Sequence, residues 1–201
     1  MRKGFLGPVA AAVLVLSGCG AGPAPTTASP SIDVDTPQLR QLKQQAGIEP
    51  CQHQTGDPVD GGLPNVTLPC LGGGPAVDLA GLRGPLVVNL WGSYCGPCRK
   101  EMPVLQQFHE KYGDRVGVLG VDYEDAQTAS ALELARKSGV TYPLVADTDG
   151  ALQGNGPFPV RMGLPLFAFV DQDGHVELAA GGVGSVAELE QLVDQHLGLN
   201  L

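Results

Sequence analysis

The chain has 201 residues, enough for one ordinary domain with a leader and a linker but too few for two full-sized domains. Its 43% hydrophobic and 16% charged content is that of a globular protein rather than a disordered one. A formal net charge of −9 argues against nucleic acid as a partner and against binding to anionic lipid by charge alone.

Residues 1–18 read as an export signal. Arg2 and Lys3 give a positive start, and residues 9–16 are an unbroken apolar run. The stretch is too short to span a bilayer, which takes about 20 apolar residues. It ends in Leu16-Ser17-Gly18-Cys19, which resembles the lipobox of bacterial lipoproteins. That resemblance implies that Cys19 becomes an acylated N-terminus and holds the protein on the extracytoplasmic face of the cell membrane without a spanning helix. Residues 19–47 are then expected to be a lipidated tether rich in Pro, Ser and Thr, with two helical turns within 38–46. The folded domain is expected at residues 48–201.

Of the five cysteines, Cys51, Cys70, Cys95 and Cys98 remain after Cys19, and four cysteines allow three pairings. Cys95 and Cys98 have the spacing of a redox pair at a helix start, which leaves Cys51 with Cys70. An oxidising compartment suits a structural disulfide there. It closes a loop of about 20 residues and contributes roughly 3 kcal/mol in the chain-entropy account. The competing reading is a second redox-active pair that relays electrons.

Further along, residues 65–68 and 76–79 predict a short hairpin around Gly72-Gly73-Gly74. Residues 85–91 are apolar, β-branched and bounded by glycines, which predicts a buried strand. Residues 96–112 predict a helix and residues 116–123 a second buried strand. Asp125 is placed to cap a helix that stops at Gly139. A third strand is predicted at 143–146, and a hairpin at 164–170 and 175–180 around Asp171-Gln172-Asp173-Gly174. Ser185 and Glu188 form a capping box for a last helix with an apolar stripe through Leu189 and Val193. The order predicts an α/β fold with a mixed central sheet, parallel through the crossovers and antiparallel at the last hairpin.

Cys95-Gly96-Pro97-Cys98 follows the first buried strand and opens a helix. A sulfur at a helix N-terminus meets free N–H groups and the positive end of the dipole, which favour the thiolate. The thiolate is the attacking species in disulfide exchange. Two intervening residues return Cys98 to Cys95 after one turn, and Pro97, which lacks an N–H, suits the first helical turn.

The block from Val87 to Pro103 closely resembles the active site of TlpA/ResA-like membrane-anchored disulfide reductases, within the thioredoxin superfamily. The likeness covers about residues 59–199. It implies a thioredoxin-like fold with an N-terminal β-hairpin and a strand–helix insertion in mid-domain. It further implies that Cys95 attacks, that Cys98 resolves the mixed disulfide, and that Pro165 is cis with the Leu164 backbone pairing to substrate.

Glu101 matches the family's active-site glutamate, a proton carrier able to raise thiol pKa values. The competing reading is a solvated first-turn carboxylate. Asn89 stands where cytosolic thioredoxins have a buried aspartate and cannot act as a base. Trp91 and Tyr94 are expected to shield the sulfurs as an apolar docking face, with core packing the competing role, stronger for Trp91. Pro103 is expected to kink the helix.

The resemblance also implies partners: exported disulfide-containing proteins as substrates, apocytochrome c among the candidates, and a membrane electron donor of the thiol-reductase type. A monomer without cofactor or metal is expected. An oxidase or isomerase of the same fold is the alternative within the chemistry. A copper-handling module is the alternative outside it, disfavoured because no histidine lies between Leu144 and Gly174. A peroxiredoxin-like peroxidase is disfavoured by Gly92, three residues before Cys95, where that group has Thr or Ser. His53, His109, His175 and His196 are scattered and read as surface or packing residues.

Overall fold

The computed structural model describes residues 1, 4, 31–52 and 56–201. The expected export signal apart from residues 1 and 4, Cys19, residues 20–30 of the expected tether and His53 lie outside the described residues. Among the described residues no helix is long and apolar enough to cross a membrane.

Residues 31–201 form one compact unit. Helix α1 (Pro37–Ala46) comes first, followed by a hairpin of β1 (Thr67–Leu68) and β2 (Val77–Asp78) and a short 3-10 turn. Strand β3 (Leu86–Trp91), helix α2 (Gly96–Tyr112), strand β4 (Gly117–Tyr123), helix α3 (Thr128–Lys137) and strand β5 (Leu144–Asp147) follow. Strands β6 (Leu166–Val170) and β7 (Val176–Ala180) and helix α4 (Val186–Leu197) complete the unit. The five-stranded sheet runs β5-β4-β3-β6-β7, with β3, β4 and β5 parallel and β6 and β7 antiparallel. This is the thioredoxin-like arrangement that the resemblance implies.

Every residue of β3 is buried, as its continuous apolar run requires of a central strand covered on both faces. Val87 and Trp91 face a core that the four helices supply through Leu39, Leu105, Leu132 and Leu189. Val88 and Leu90 face a second core closed by the hairpin, the 3-10 turn and the loop carrying Leu152 and Phe158. Period-two alternation along one strand thus divides the interior in two. Edge strand β5 is covered by the chain around Cys70: Ala146 N–H donates to Pro69 O and Leu71 N–H to Leu144 O.

The local chemistry of the ends follows the sequence. Thr36 caps α1, and Gly47 closes it in the left-handed conformation at φ 71°. Ser185 Oγ accepts from Glu188 N–H, while the Glu188 carboxylate accepts from Gly184 N–H, one residue before the position that a capping box specifies. Asp125 does not cap α3, whose N-cap is Gln127 without a side-chain bond. Its carboxylate is used elsewhere, as described below.

The domain boundary expected at residue 48 is corrected by α1. Val34, Leu39 and Lys43 are buried, and α1 packs against α3, so the folded unit begins at Ser31. The segment looks hydrophilic because six of its residues 37–46 are polar; the two leucines and the Lys43 stem supply an apolar face that only α3 makes useful. Leu39→Ala is therefore expected to lower the unfolding free energy by about 2–5 kcal/mol in a urea titration. A tether position would change it by less than about 0.5 kcal/mol.

Candidate functional site

Strand β3 runs into a tight turn at Gly92-Ser93-Tyr94, and Cys95 becomes the N-cap of α2 with extended backbone angles. Its Sγ accepts the Cys98 N–H at 3.2 Å, so a donor of the first helical turn that has no partner within the helix points at sulfur. Cys95 and Cys98 are joined as a disulfide. Cys95 is 7% exposed and Cys98 is fully buried, so an incoming thiolate or disulfide meets Cys95 first. Gly96 and Pro97 are exposed between them.

The turn is held from three sides. Ser93 N–H donates to Asp125 Oδ2 at 2.7 Å, and Arg99 Nε donates to Ser93 O at 2.9 Å. Tyr94 hydroxyl donates to Tyr123 O at 3.1 Å. Asp125 also accepts the Gln127 N–H. Beside it, Asp122 is fully buried at the end of β4, and burial first, then the Asp125 charge, pushes its carboxyl well up from the usual carboxylate range. Arg99, Asp122 and Asp125 were not singled out from sequence as site residues. The one legible signal was Asp122, a carboxylate inside an otherwise apolar strand.

Glu101 lies one turn past Cys98 and is 1% exposed, which decides between the two readings in favour of a buried carboxyl. Oε1 accepts from Asn89 Nδ2 at 3.0 Å, across from α2 to β3. Burial raises the pKa from 4.5 to about 7, against the opposing pull of the Asn89 hydrogen bond and of the Val183 backbone. Asn89 is itself fully buried and donates rather than titrates. Tyr142 is fully buried, and burial together with the Glu101 charge holds its hydroxyl protonated.

The Leu164–Pro165 bond is cis, as the resemblance implies, and Gly84–Pro85 is a second cis bond that it did not. Pro165 is buried and Leu164 half-buried, just outside β6. Gly182 ties this loop to Glu101. A Cβ there would come within 3.0 Å of Glu101 Oε2 and 3.3 Å of the Pro165 ring, so only glycine lets the two approach.

The expected docking pair separates. Tyr94 is 52% exposed beside the sulfurs, whereas Trp91 is fully buried in the helical core and forms no surface. Strand alternation points Trp91 inward, and the turn after it frees Tyr94. Pro103 lies inside α2. His109 and His196 pair with Glu49 and Glu177, and His175 sits in the Asp171 turn. Cys51 and Cys70 form the second disulfide, against β5 and away from this turn in the fold.

Residues 59–179 match the AhpC/TSA family. The chain is 32% identical over 141 residues to the thiol:disulfide interchange protein DsbE of Pseudomonas fluorescens biotype C, covering 68% of this chain and 75% of that protein. It is 28% identical over 111 residues to the thioredoxin-like protein YneN of Bacillus subtilis (strain 168), covering 54% of this chain and 63% of that protein. The chain thus spans under two thirds of YneN. Among solved structures, MTB DsbF in its mixed oxidised and reduced forms superposes with a TM-score of 0.59 at 28% identity, over 68% of this chain and 98% of that one. A secreted Mycobacterium tuberculosis disulfide oxidoreductase superposes at 0.56 with 23% identity, over 65% and 96%, and supports the fold alone.

The Glu101 environment sets a pH dependence in the disulfide form. Burial favours the uncharged acid, so the folded state keeps a proton that the unfolded chain releases above its ordinary value. The stabilisation is complete below pH 4.5 and is lost as pH rises to about 7. Unfolding free energy is expected to fall across that window, with a contribution of up to about 1.4 kcal/mol per pH unit from this group. Glu101→Gln, neutral at every pH, is expected to remove that contribution, read from urea titrations at several pH values.

Proposed function

This chain belongs to the AhpC/TSA family, and from that premise we propose that it is a thiol–disulfide oxidoreductase that reduces disulfides of exported proteins. The observation that carries the reading is the Cys95–Cys98 disulfide at the mouth of α2, with the Cys98 N–H already bonded to Cys95 Sγ. In the reduced protein that N–H and the helix dipole favour the Cys95 thiolate. The thiolate attacks a substrate disulfide, and the departing substrate sulfur takes a proton. Cys98 then attacks the mixed disulfide, closing Cys95–Cys98 and releasing the second substrate sulfur as a thiol. Two electrons pass from the pair to the substrate.

The buried Cys98 must lose its proton for that second step. Glu101 is the nearby carboxyl, its pKa near neutrality, and Asn89 holds it in place without competing for the proton. Pro165 and the Leu164 backbone supply the edge on which an extended substrate segment lies.

Cys95→Ser is expected to abolish turnover in an insulin-reduction assay with a chemical dithiol. Cys98→Ser is expected to accumulate the mixed disulfide, visible by non-reducing mass spectrometry. The reduction potential decides direction: about −250 mV or lower suits a reductant, and about −120 mV an oxidant. Turnover that survives in Cys95→Ser would end the reading.

We place the protein on the extracytoplasmic face of the cell membrane through acylation at Cys19, with the tether ending where the folded unit begins at Ser31. A membrane dithiol donor would return the electrons, with apocytochrome c among the substrates. Cys19→Ala is expected to move the protein from the membrane to the soluble extracytoplasmic fraction. Retention on the membrane would refute the anchor.

A further inference from the structure

The Cys51–Cys70 disulfide has two neighbours that an inert staple does not need. Helix α1 turns Lys43 inward until it is 8% exposed, with Nζ 2.9 Å from Cys70 Sγ and donating to Gly73 O at 2.8 Å. Asp35, the carboxylate whose charge acts on Lys43, is itself bonded twice to Arg40 at 2.6 and 3.0 Å. Among the described residues no carboxylate is bonded to Lys43; a buried ammonium so placed is costly, and a disulfide sulfur is a weak acceptor for it. A thiolate at Cys70 would be the strong acceptor that Lys43 lacks.

The other sulfur has the matching arrangement. Cys51 Sγ lies 3.3 Å from Leu144 O. In the disulfide it has no hydrogen to give; as a thiol it would donate to that carbonyl. Each sulfur therefore faces a group that only the reduced form can use fully. Cys51, itself 3% exposed, lines a groove of about 220 Å³ with Val77, Leu82, His109 and Pro143, the side from which a reductant would approach.

We propose that Cys51–Cys70 is a second exchangeable disulfide, attacked at Cys51, with Cys70 leaving as a thiolate beside Lys43. The reductant is a dithiol. Its thiolate bonds to Cys51 Sγ as the Cys51–Cys70 bond breaks, and the electron pair of that bond stays on Cys70. The second thiol of the reductant, deprotonated, then attacks its own bonded sulfur. Cys51 leaves and takes a proton, its S–H then donating a hydrogen bond to Leu144 O, and the reductant departs as a disulfide with two electrons transferred. A lower pKa in the leaving thiol speeds the first step, and Lys43 lowers it.

The test uses the chain with Cys95→Ser and Cys98→Ser, so that one disulfide remains and the oxidoreductase reading plays no part. The fraction reduced in dithiothreitol redox buffers, and the rate of reduction, are read by trapping thiols with an alkylating agent. Adding Lys43→Met is expected to shift the equilibrium towards the disulfide, and to slow reduction, by about tenfold, the scale of one charge-assisted contact. Lys43→Arg is expected to stay within about threefold of the parent, because the charge remains. If Lys43→Met does not fold, Lys43→Gln carries the same expectation. Circular dichroism of the reduced parent is expected to show the folded spectrum. Equal equilibria and rates with and without the Lys43 charge would overturn the inference, as would reduction that occurs only as fast as global unfolding.

Discussion

The arrangement turns on one contact, the Cys98 N–H held on Cys95 Sγ at the first turn of α2. A helix start leaves backbone donors unpaired, and here sulfur takes the place of the hydroxyl or carboxylate oxygen that usually caps them. That placement gives the sulfur its chemistry. It also demands that the chain enter the helix at a fixed angle, so the strand before it, the turn between and the helix behind must all be rigid. β3 meets that demand by burial on both faces. The turn meets it through Asp125, Arg99 and Tyr123, which bind Ser93 and Tyr94 from β4, α2 and the connection to α3.

Burial that makes the scaffold rigid also sets the protonation of its acids. Glu101 and Asp122 lie on the helical face of the sheet, where water is excluded and the charged form is disfavoured. The two differ in their partners. Asn89 gives Glu101 a donor for one oxygen and keeps its pKa near neutrality, whereas Asp122 sits beside another carboxylate and is driven towards the neutral acid. One environment thus yields a carboxyl able to exchange its proton near neutral pH and another that burial and an adjacent carboxylate push well up from the usual range.

The mid-domain insertion serves the site as well as the core. β4 carries Asp122, the following loop carries Asp125, and α3 supplies the surface on which α1 is buried. Seating α1 in turn delivers Lys43 to the second disulfide. The two sulfur pairs are therefore linked through a shared set of packed elements, although each has its own polar partners.

Sequence alone determined the elements whose signals are local. The apolar run of β3, the helix opening at Cys95-Gly96-Pro97-Cys98, the Asp-Gly turn before β7 and the Ser185 cap each depend on residues within a few positions, and they lie where periodicity and turn chemistry place them. The cysteine pairings followed because only one choice put a redox pair at a helix start. Tertiary structure decided what depends on neighbours remote in the chain. The burial of Glu101, the inward turn of Trp91, the diversion of Asp125 from capping to Ser93 and the membership of α1 in the fold are all of this kind. Each hinges on desolvation or on a partner more than ten residues away, which composition and spacing do not encode.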